Sequence, residues 1–407
     1  MEFRNLTPFS ALNYFMLDKE RREYHVVVMK VGYQLQQDSG SGYRMSVIDQ
    51  DAIPLCLEDE YRGAINASQV VQESDLAPLK PRCDVIINGT ACAPRGIACE
   101  QFPVSVRFTM PDGNLLLDKT LLIRGESEFR LVNPYTPFAH WQQTPLQSFT
   151  ELELDYRYSF GGECRVNENG AGANRINREF RLSELQRRNH PDKNNPPIAH
   201  TIHAGNPLGC GYTEDWYQDA TQQKSYTAPR IITPEHPFTE DHFGRLFKGK
   251  ADLSQPFFQP AGLGIVGRAW QPRLSLAGTY DNEWLEERHP YLPDDFDFGY
   301  WNCAPPNQQT DFPAPGSRLE LTNLTPDGLL VFSLPNHFSF ILLRMVNGEL
   351  LPRPLLADTL LIDTQLMQVW MTYRYVLSVE STVRVMELRY ETQPRLLQKK
   401  LFPGWET

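Results

Sequence analysis

Prolines break the middle third of this chain. Sixteen of its 32 prolines fall between Pro191 and Pro315. Proline removes a backbone donor and clashes with the preceding helical turn, so neither a long helix nor a central strand can run through such a stretch. The same stretch is dense in large rings. Between Trp270 and Gln308 it reads Trp270-Gln271-Pro272-Arg273, Ala277-Gly278-Thr279-Tyr280-Asp281-Asn282-Glu283-Trp284, His289-Pro290-Tyr291-Leu292-Pro293-Asp294-Asp295-Phe296-Asp297 and Ala304-Pro305-Pro306. No period of two or of 3.6 runs through it. Disordered segments are poor in aromatics, so this composition predicts ordered irregular backbone packed by its own rings, the kind of segment that carries binding surfaces.

The flanks read as strands. His25 to Tyr33 is β-branched and leads through the turn cluster Asp38-Ser39-Gly40-Ser41-Gly42 to a returning run, Tyr43 to Ile48. Asp84 to Gly89, Val104 to Phe108, Leu115 to Ile123 and the strictly alternating Glu151 to Tyr158 continue the pattern. After residue 316, six further runs between Arg318 and Tyr390 are separated by turns such as Pro326-Asp327-Gly328 and Asn347-Gly348. Short helices are expected near Arg178–Arg188 and Thr213–Ala220, with the rest of the middle irregular. The predicted fold class is mostly β: antiparallel, sandwich-like sheets with a long loop-rich, Pro-rich middle and a few short helices. The predicted parts are an N-terminal β-rich part (1–160), the irregular middle (161–315), a C-terminal β part packing with the first (316–390) and a tail (391–407).

The net charge of -11 argues against a nucleic-acid partner and favours a basic one. No apolar run approaches the roughly 20 residues that cross a bilayer as a helix, and the N-terminal residues lack a signal-peptide pattern. A cytoplasmic protein with no membrane partner is expected. Seven scattered cysteines do not suggest a disulfide framework.

Several catalytic patterns come close and fail. Gly262-Leu263-Gly264-Ile265-Val266-Gly267 satisfies G-x-G-x-x-G, yet Pro256, Pro260 and Pro272 deny it the strand and helix that a dinucleotide site needs. Its glycines read as turn formers. Gly244 to Ala251 resembles a Walker A loop with alanine where the magnesium-binding hydroxyl belongs. His200, His203 and Cys210 could supply zinc ligands, and Asp294, Asp295 and Asp297 could bind calcium or act as acid and base. Carboxylates in an aromatic loop more often bond backbone N–H groups or an arginine, here Arg273 or Arg288. No nucleophile motif is present. The residues therefore point to no cofactor and no enzyme; a metal-dependent hydrolase using either cluster is the alternative.

The Gly and Pro landmarks form an ordered series. Lys80-Pro81-Arg82-Cys83-Asp84-Val85 precedes Gly89 to Gly96. Phe160-Gly161-Gly162 and Asn206-Pro207-Leu208-Gly209-Cys210-Gly211 follow, then Pro260-Ala261-Gly262 through Arg273. Ala277 to Trp284, Leu292 to Asp297 and Asn302-Cys303-Ala304-Pro305-Pro306-Asn307-Gln308 complete it. This series resembles a family of uncharacterised bacterial domains linked to type VI secretion, regarded as effector-loading adaptors or chaperones. They are encoded beside VgrG spike proteins, PAAR-repeat tips and toxic effectors. The resemblance covers roughly residues 5 to 375; the polar tract Arg181 to Asn195 and the strands around Trp370 depart from it. It implies a protein that binds an effector, a PAAR-like tip or VgrG and assists loading, with a structural component of the apparatus as a further alternative. It implies no catalytic residues. The candidates for partner contact or loop scaffold are Asn206, Gly209, Gly211, Trp270, Arg273, Thr279, Tyr280, Asp281, Trp284, Asp294, Asp295 and Phe296. Among the rings, Trp270, Tyr280 and Trp284 read as a mini-core more than as contacts.

Overall fold

The computed structural model describes residues 1–38, 42–48, 53–249, 251–379 and 382–392. The centre of the 38–42 turn, Lys250 of the Walker-like run and nearly all of the expected tail lie outside these residues.

Strand Glu23–Gln37 is the spine of the molecule. Its alternation decides two faces: Val27, Met29, Val31, Tyr33 and Leu35 enter the main core, and Lys30 points the other way. On one side it pairs antiparallel with Gln368–Ser378 along that strand's whole length. On the other it holds two shorter strands, Ala11–Leu17 at its beginning and Tyr43–Val47 at its end. From Gln368–Ser378 the sheet continues through Leu356–Asp363 and Cys83–Asn88 to the short Gln309–Thr310. From Tyr43–Val47 it continues through Leu329–Ser333, Arg318–Thr322, Gln101–Thr109 and Leu115–Arg124 to Ile231–Ile232. N-terminal and C-terminal strands thus interleave in one twelve-stranded sheet. Strands Glu2–Asn5, Val383–Glu391, Phe338–Met345 and Leu350–Pro354 form a second sheet, whose Ile341, Leu343, Met386 and Leu388 share the main core.

The fold is mostly β and sandwich-like, as the alternation predicts. Most pairs are antiparallel. Parallel joins occur between Leu356–Asp363 and Cys83–Asn88, between Leu329–Ser333 and Tyr43–Val47, and between Glu2–Asn5 and Val383–Glu391. One expected strand is cut short. Only Glu151–Glu153 pairs; the chain then enters a 3-10 turn, Tyr156–Tyr158, because buried Asp155 accepts the N–H of Arg157 at 2.9 Å and caps it.

The proline-rich middle is more regular than its sequence predicts. Besides the expected helices, found at Glu184–Asn189 and Asp215–Thr221, it contains Glu240–Leu246 and Asn282–Glu287. Thr239 closes a capping box with His242, and Asp281 caps the last helix, signals that outweigh the short length of each. The Walker-like glycine, Gly244, lies inside Glu240–Leu246. Residues from Phe129 to Phe258 build a core of their own, dominated by rings. Residues 262–308 instead start at the main core with Leu263 and then pass to the outer face of the large sheet, where Ile265, Cys303 and Ala304 pack on Ile86 and Leu361. No helix among the described residues is long and apolar enough to cross a membrane.

Candidate functional site

The outer face of the large sheet is buried and ionic. Alternation that sends Val27, Val85 and Met371 inward sends Lys30, Asp84, Thr372 and Arg374 outward, under segments 56–80 and 262–308. Lys30 Nζ lies 3.0 Å from Asp75 Oδ2, and Thr372 Oγ1 donates to Asp75 Oδ1 at 2.9 Å. Arg374 pairs with Asp358 at 2.6 Å and donates to the carbonyls of Asp75 and Ala77. Lys80 Nζ reaches Asp84 Oδ2 and Thr359 Oγ1, each at 2.8 Å. Burial opposes the charge on Lys80, but Asp84 beside it, with smaller help from Cys303 and Asp358, holds the ammonium above the ordinary lysine range.

This layer fastens the irregular segment to the sheet. Asp84 accepts the backbone N–H of Cys303 and of Ala304, both at 3.0 Å, from 219 and 220 positions away. Gln308 Nε2 donates to Val85 O and Leu263 O at 2.8 and 3.0 Å. From the opposite, core face of Leu115–Arg124, which it shares with Leu117 and Leu121, Lys119 Nζ donates to Gly262 O, Asn307 Oδ1 and Gln308 Oε1 at 2.7, 2.8 and 2.6 Å. None of these acceptors is charged, and burial pushes Lys119 down to about 7. Arg273 grips Glu73 with both Nη atoms at 2.6 and 2.7 Å and donates to the carbonyls of Tyr300 and Val266. The cavity among Lys30, Asp75, Lys80, Cys303 and Trp370 measures about 20 Å³, the size of one water and no substrate. The Lys80–Asp84 and Asn302–Gln308 landmarks are therefore two halves of one clasp.

The other singled-out residues also have internal tasks. Asn206 is fully buried and donates to Tyr156 O and Phe160 O at 2.8 and 3.1 Å. At Gly209 a Cβ would lie 2.5 Å from Asn206 Nδ2, and Gly211 holds φ +87°, so both need glycine. Gly262 needs it for closeness rather than turning: a Cβ would sit 2.6 Å from the Tyr156 ring. Trp270 packs edge-on to that ring at 5.4 Å. Asp281 accepts the N–H of Trp284 at 2.9 Å. Trp284 in turn donates to Tyr291 O at 2.9 Å and stacks edge-on with Tyr280 and His289. Asp295 accepts the backbone N–H and hydroxyl of Thr279 at 2.9 and 2.7 Å, and Asp294 pairs with Arg288 at 2.7 Å. Phe296 is buried among Phe298, Tyr300 and Trp301. Arg273 departs from the expectation that a loop carboxylate would take it: its partner is Glu73, 200 positions upstream.

The alternative metal clusters do not assemble. His200 Nε2 contacts Glu163 at 2.8 Å, and its Nδ1 meets His190 at 3.0 Å. His203 is buried against Phe160 and Tyr212, and burial pushes it down to about 4. Burial pushes the Cys210 thiol up to about 12, away from a thiolate ligand. Among the described residues no three His, Cys, Asp or Glu side chains are placed to hold a metal ion.

What remains outward on the 270–297 segment is mixed. Tyr280 is 53% exposed and Leu285 58%, beside Glu283, Glu286 and Glu287, which have no ion-pair partner among the described residues. Sequence reasoning passed over Lys30, Glu73, Asp75, Lys119, Asp358 and Arg374. A lysine inside the apolar run His25 to Tyr33 was the visible signal: a charge there must have a buried partner.

Residues 20–374 match the model of a protein family described as an uncharacterized protein conserved in bacteria (DUF2169). No curated protein and no solved structure matches the chain.

Proposed function

We propose that this chain, which belongs to the DUF2169 family of proteins conserved in bacteria, is a non-enzymatic adaptor of type VI secretion. It binds an effector, or the PAAR-like or VgrG part of the spike, in the cytoplasm and assists loading. The observation that carries this reading is the ledge formed by residues 270–297. Asp281 and Asp295 spend their carboxylates on N–H groups of the ledge itself and Arg273 anchors it to Glu73, while its outer surface sets exposed Tyr280 and Leu285 among Glu283, Glu286 and Glu287, which have no ion-pair partner among the described residues. An irregular segment held this firmly, with a free surface of rings and charge, is suited to protein recognition. Acidic groups on a rim speed encounter with a basic partner and weaken in salt. The class of partner is what the resemblance of the ordered landmarks to type VI adaptors implies.

The test is co-purification. The untagged chain, expressed in turn with type VI effector, PAAR-like tip and VgrG proteins of its own genome, should elute with one of them, and the complex should weaken as salt rises from low to about 0.5 M. Separate elution from all of them would remove the adaptor reading.

A further inference from the structure

The first strand of the large sheet offers a second recognition element. Ala11–Leu17 pairs with Glu23–Gln37 on one side and with no strand on the other among the described residues. The bonds that bracket it, Lys30 N–H to Ser10 O and Asp18 N–H to Arg22 O, fix its parity. Leu12, Tyr14 and Met16 turn their backbone groups to the neighbouring strand. Ala11, Asn13, Phe15 and Leu17 turn theirs outward, where none has a hydrogen-bond partner among the described residues. Proteins guard such edges with charge, proline, a bulge or brevity. This strand, Ala-Leu-Asn-Tyr-Phe-Met-Leu, has no charge, no proline and no register shift over seven residues. Phe15 is 62% exposed and Leu12 38%.

The acidic ledge continues this edge. The turn that follows the strand is tied to the ledge by Lys19 Nζ to Phe296 O at 3.1 Å, Arg21 Nη2 to Glu287 O at 3.1 Å and Leu292 N–H to Asp18 O at 3.3 Å. Open main-chain groups thus lead, at the Leu17 end, into Glu283, Glu286 and Glu287, which have no ion-pair partner among the described residues.

We propose that this edge receives an extended strand of the cargo protein by antiparallel β-strand addition, with basic residues just before that strand lying on the ledge. Antiparallel addition places the N-terminal flank of the incoming strand beside Leu17, so charge complementarity sets the polarity. Main-chain bonds to Asn13, Phe15 and Leu17 supply affinity, and the ledge selects the flank. The proposal rests on the adaptor reading and names its mode of binding.

The experiment is amide hydrogen exchange on the full chain, alone and with two synthetic probes. Each probe is an alternating Val-Thr heptapeptide, preceded in one by Lys-Arg-Lys and in the other by Glu-Asp-Glu. In the free chain, Asn13, Phe15 and Leu17 should exchange at least about tenfold faster than Leu12, Tyr14 and Met16. The basic probe should slow the outward three by about tenfold or more, and the acidic probe should leave them unchanged. Phe15→Lys, an edge guard at an exposed position, should abolish this protection without moving the melting temperature by more than a degree or two. Equal protection by both probes, or by neither, overturns the proposal. So does protection in the free chain that disappears on dilution, which would mean that a second copy covers the edge. Failure of the adaptor reading is distinct: it shows as the absence of any cargo complex, whatever the edge amides do.

Discussion

Two proline-broken regions of similar composition are held by different forces. Residues 262–308 lie on a lattice of buried ions and amides, in which Asp84, Lys119 and Arg273 each bind several partners from distant segments. Residues 129–258 lie around rings. Phe129 stacks on Phe243 at 4.4 Å, Trp141 on Phe247 at 4.7 Å, and Phe160 meets Phe238 at 4.7 Å. The ion pairs of that second region, such as Arg165–Asp192 and Arg187–Glu168, are at its surface. The difference teaches that irregular backbone can be ordered in two ways. Directional polar bonds fix where each carbonyl and N–H goes, at a high desolvation cost that only complete pairing offsets. Ring packing is less directional and tolerates exchange of shape. The segment that carries the proposed binding ledge is the one with directional support.

The contrast breaks most visibly at Asp84. Asp84→Ala leaves Lys80 buried without its counter-ion and orphans the N–H groups of Cys303 and Ala304. A loss of about 3–5 kcal/mol is expected in chemical denaturation. Adding Lys80→Met should recover part of it, because removing both members of a buried pair costs less than removing one. A single mutant within about 1 kcal/mol of the parent chain would show that the clasp does not depend on charge.

Phe243→Ala should cost about 3–5 kcal/mol, by cavity formation. Phe243 is fully buried and contacts Phe129, Trp141, Tyr226 and Phe247. Here the expected signature is regional: faster amide exchange at Phe129 and Tyr226, with Val27 and Met371 in the large sheet unchanged. Equal loosening of both would make the two regions one cooperative unit.

The two regions also carry opposite pH windows. In the ring region, His203 titrates at about 4 instead of 6.5 because it is buried. Between those values the unfolded chain takes a proton that the native chain refuses, so stability falls as pH drops from 6.5 towards 4. In the ionic region, burial lowers Lys119 from 10.5 to about 7. Across that interval the unfolded chain holds a proton that the native chain sheds, so this residue adds stability as pH rises from 7 to 10.5. His203→Phe should flatten only the acid limb of a melting-temperature profile, and Lys119→Met only the alkaline limb. Unchanged limbs in either variant would remove that residue as the source.

The sequence made the strands far more legible than either proline-broken region. Alternation located the strand around Val27 to Tyr33 and the turn chemistry separated its successors, because each signal lies within a few residues. Asp297 also bonds a backbone N–H two residues on, and Asp295 one within the same loop 16 positions back, as their loop position suggested. The carboxylate that holds Arg273, and the Cys303 and Ala304 N–H groups that Asp84 accepts, were not readable: 200 or more positions separate these groups, and nothing local marks Glu73 over another carboxylate. The ring core was hidden for a related reason. Proline frequency signalled irregular chain, while the helix Glu240–Leu246 depends on the capping Thr239 and on Phe129, more than a hundred residues away, to receive Phe243. The parallel join of Leu356–Asp363 to Cys83–Asn88 likewise depends on long-range register.

The smallest effects sharpen the comparison within the ledge itself. Asp294 is exposed, and its only ion pair among the described residues is with Arg288. A surface pair contributes about 0–1 kcal/mol, so Asp294→Ala should leave the melting temperature nearly unchanged. Trp284 is half-buried, with its indole N–H on Tyr291 O and its ring between Tyr280 and His289. Trp284→Ala should therefore lower stability or soluble yield by a modest amount, within the 0.5–3 kcal/mol typical of lost local packing. The pair of variants separates scaffold from contact. Should Trp284→Ala fold with parental stability and lose only cargo binding, the ring belongs to the recognition surface. The ledge would then owe its shape to the buried ions alone, and the contrast with the ring-packed region would be complete.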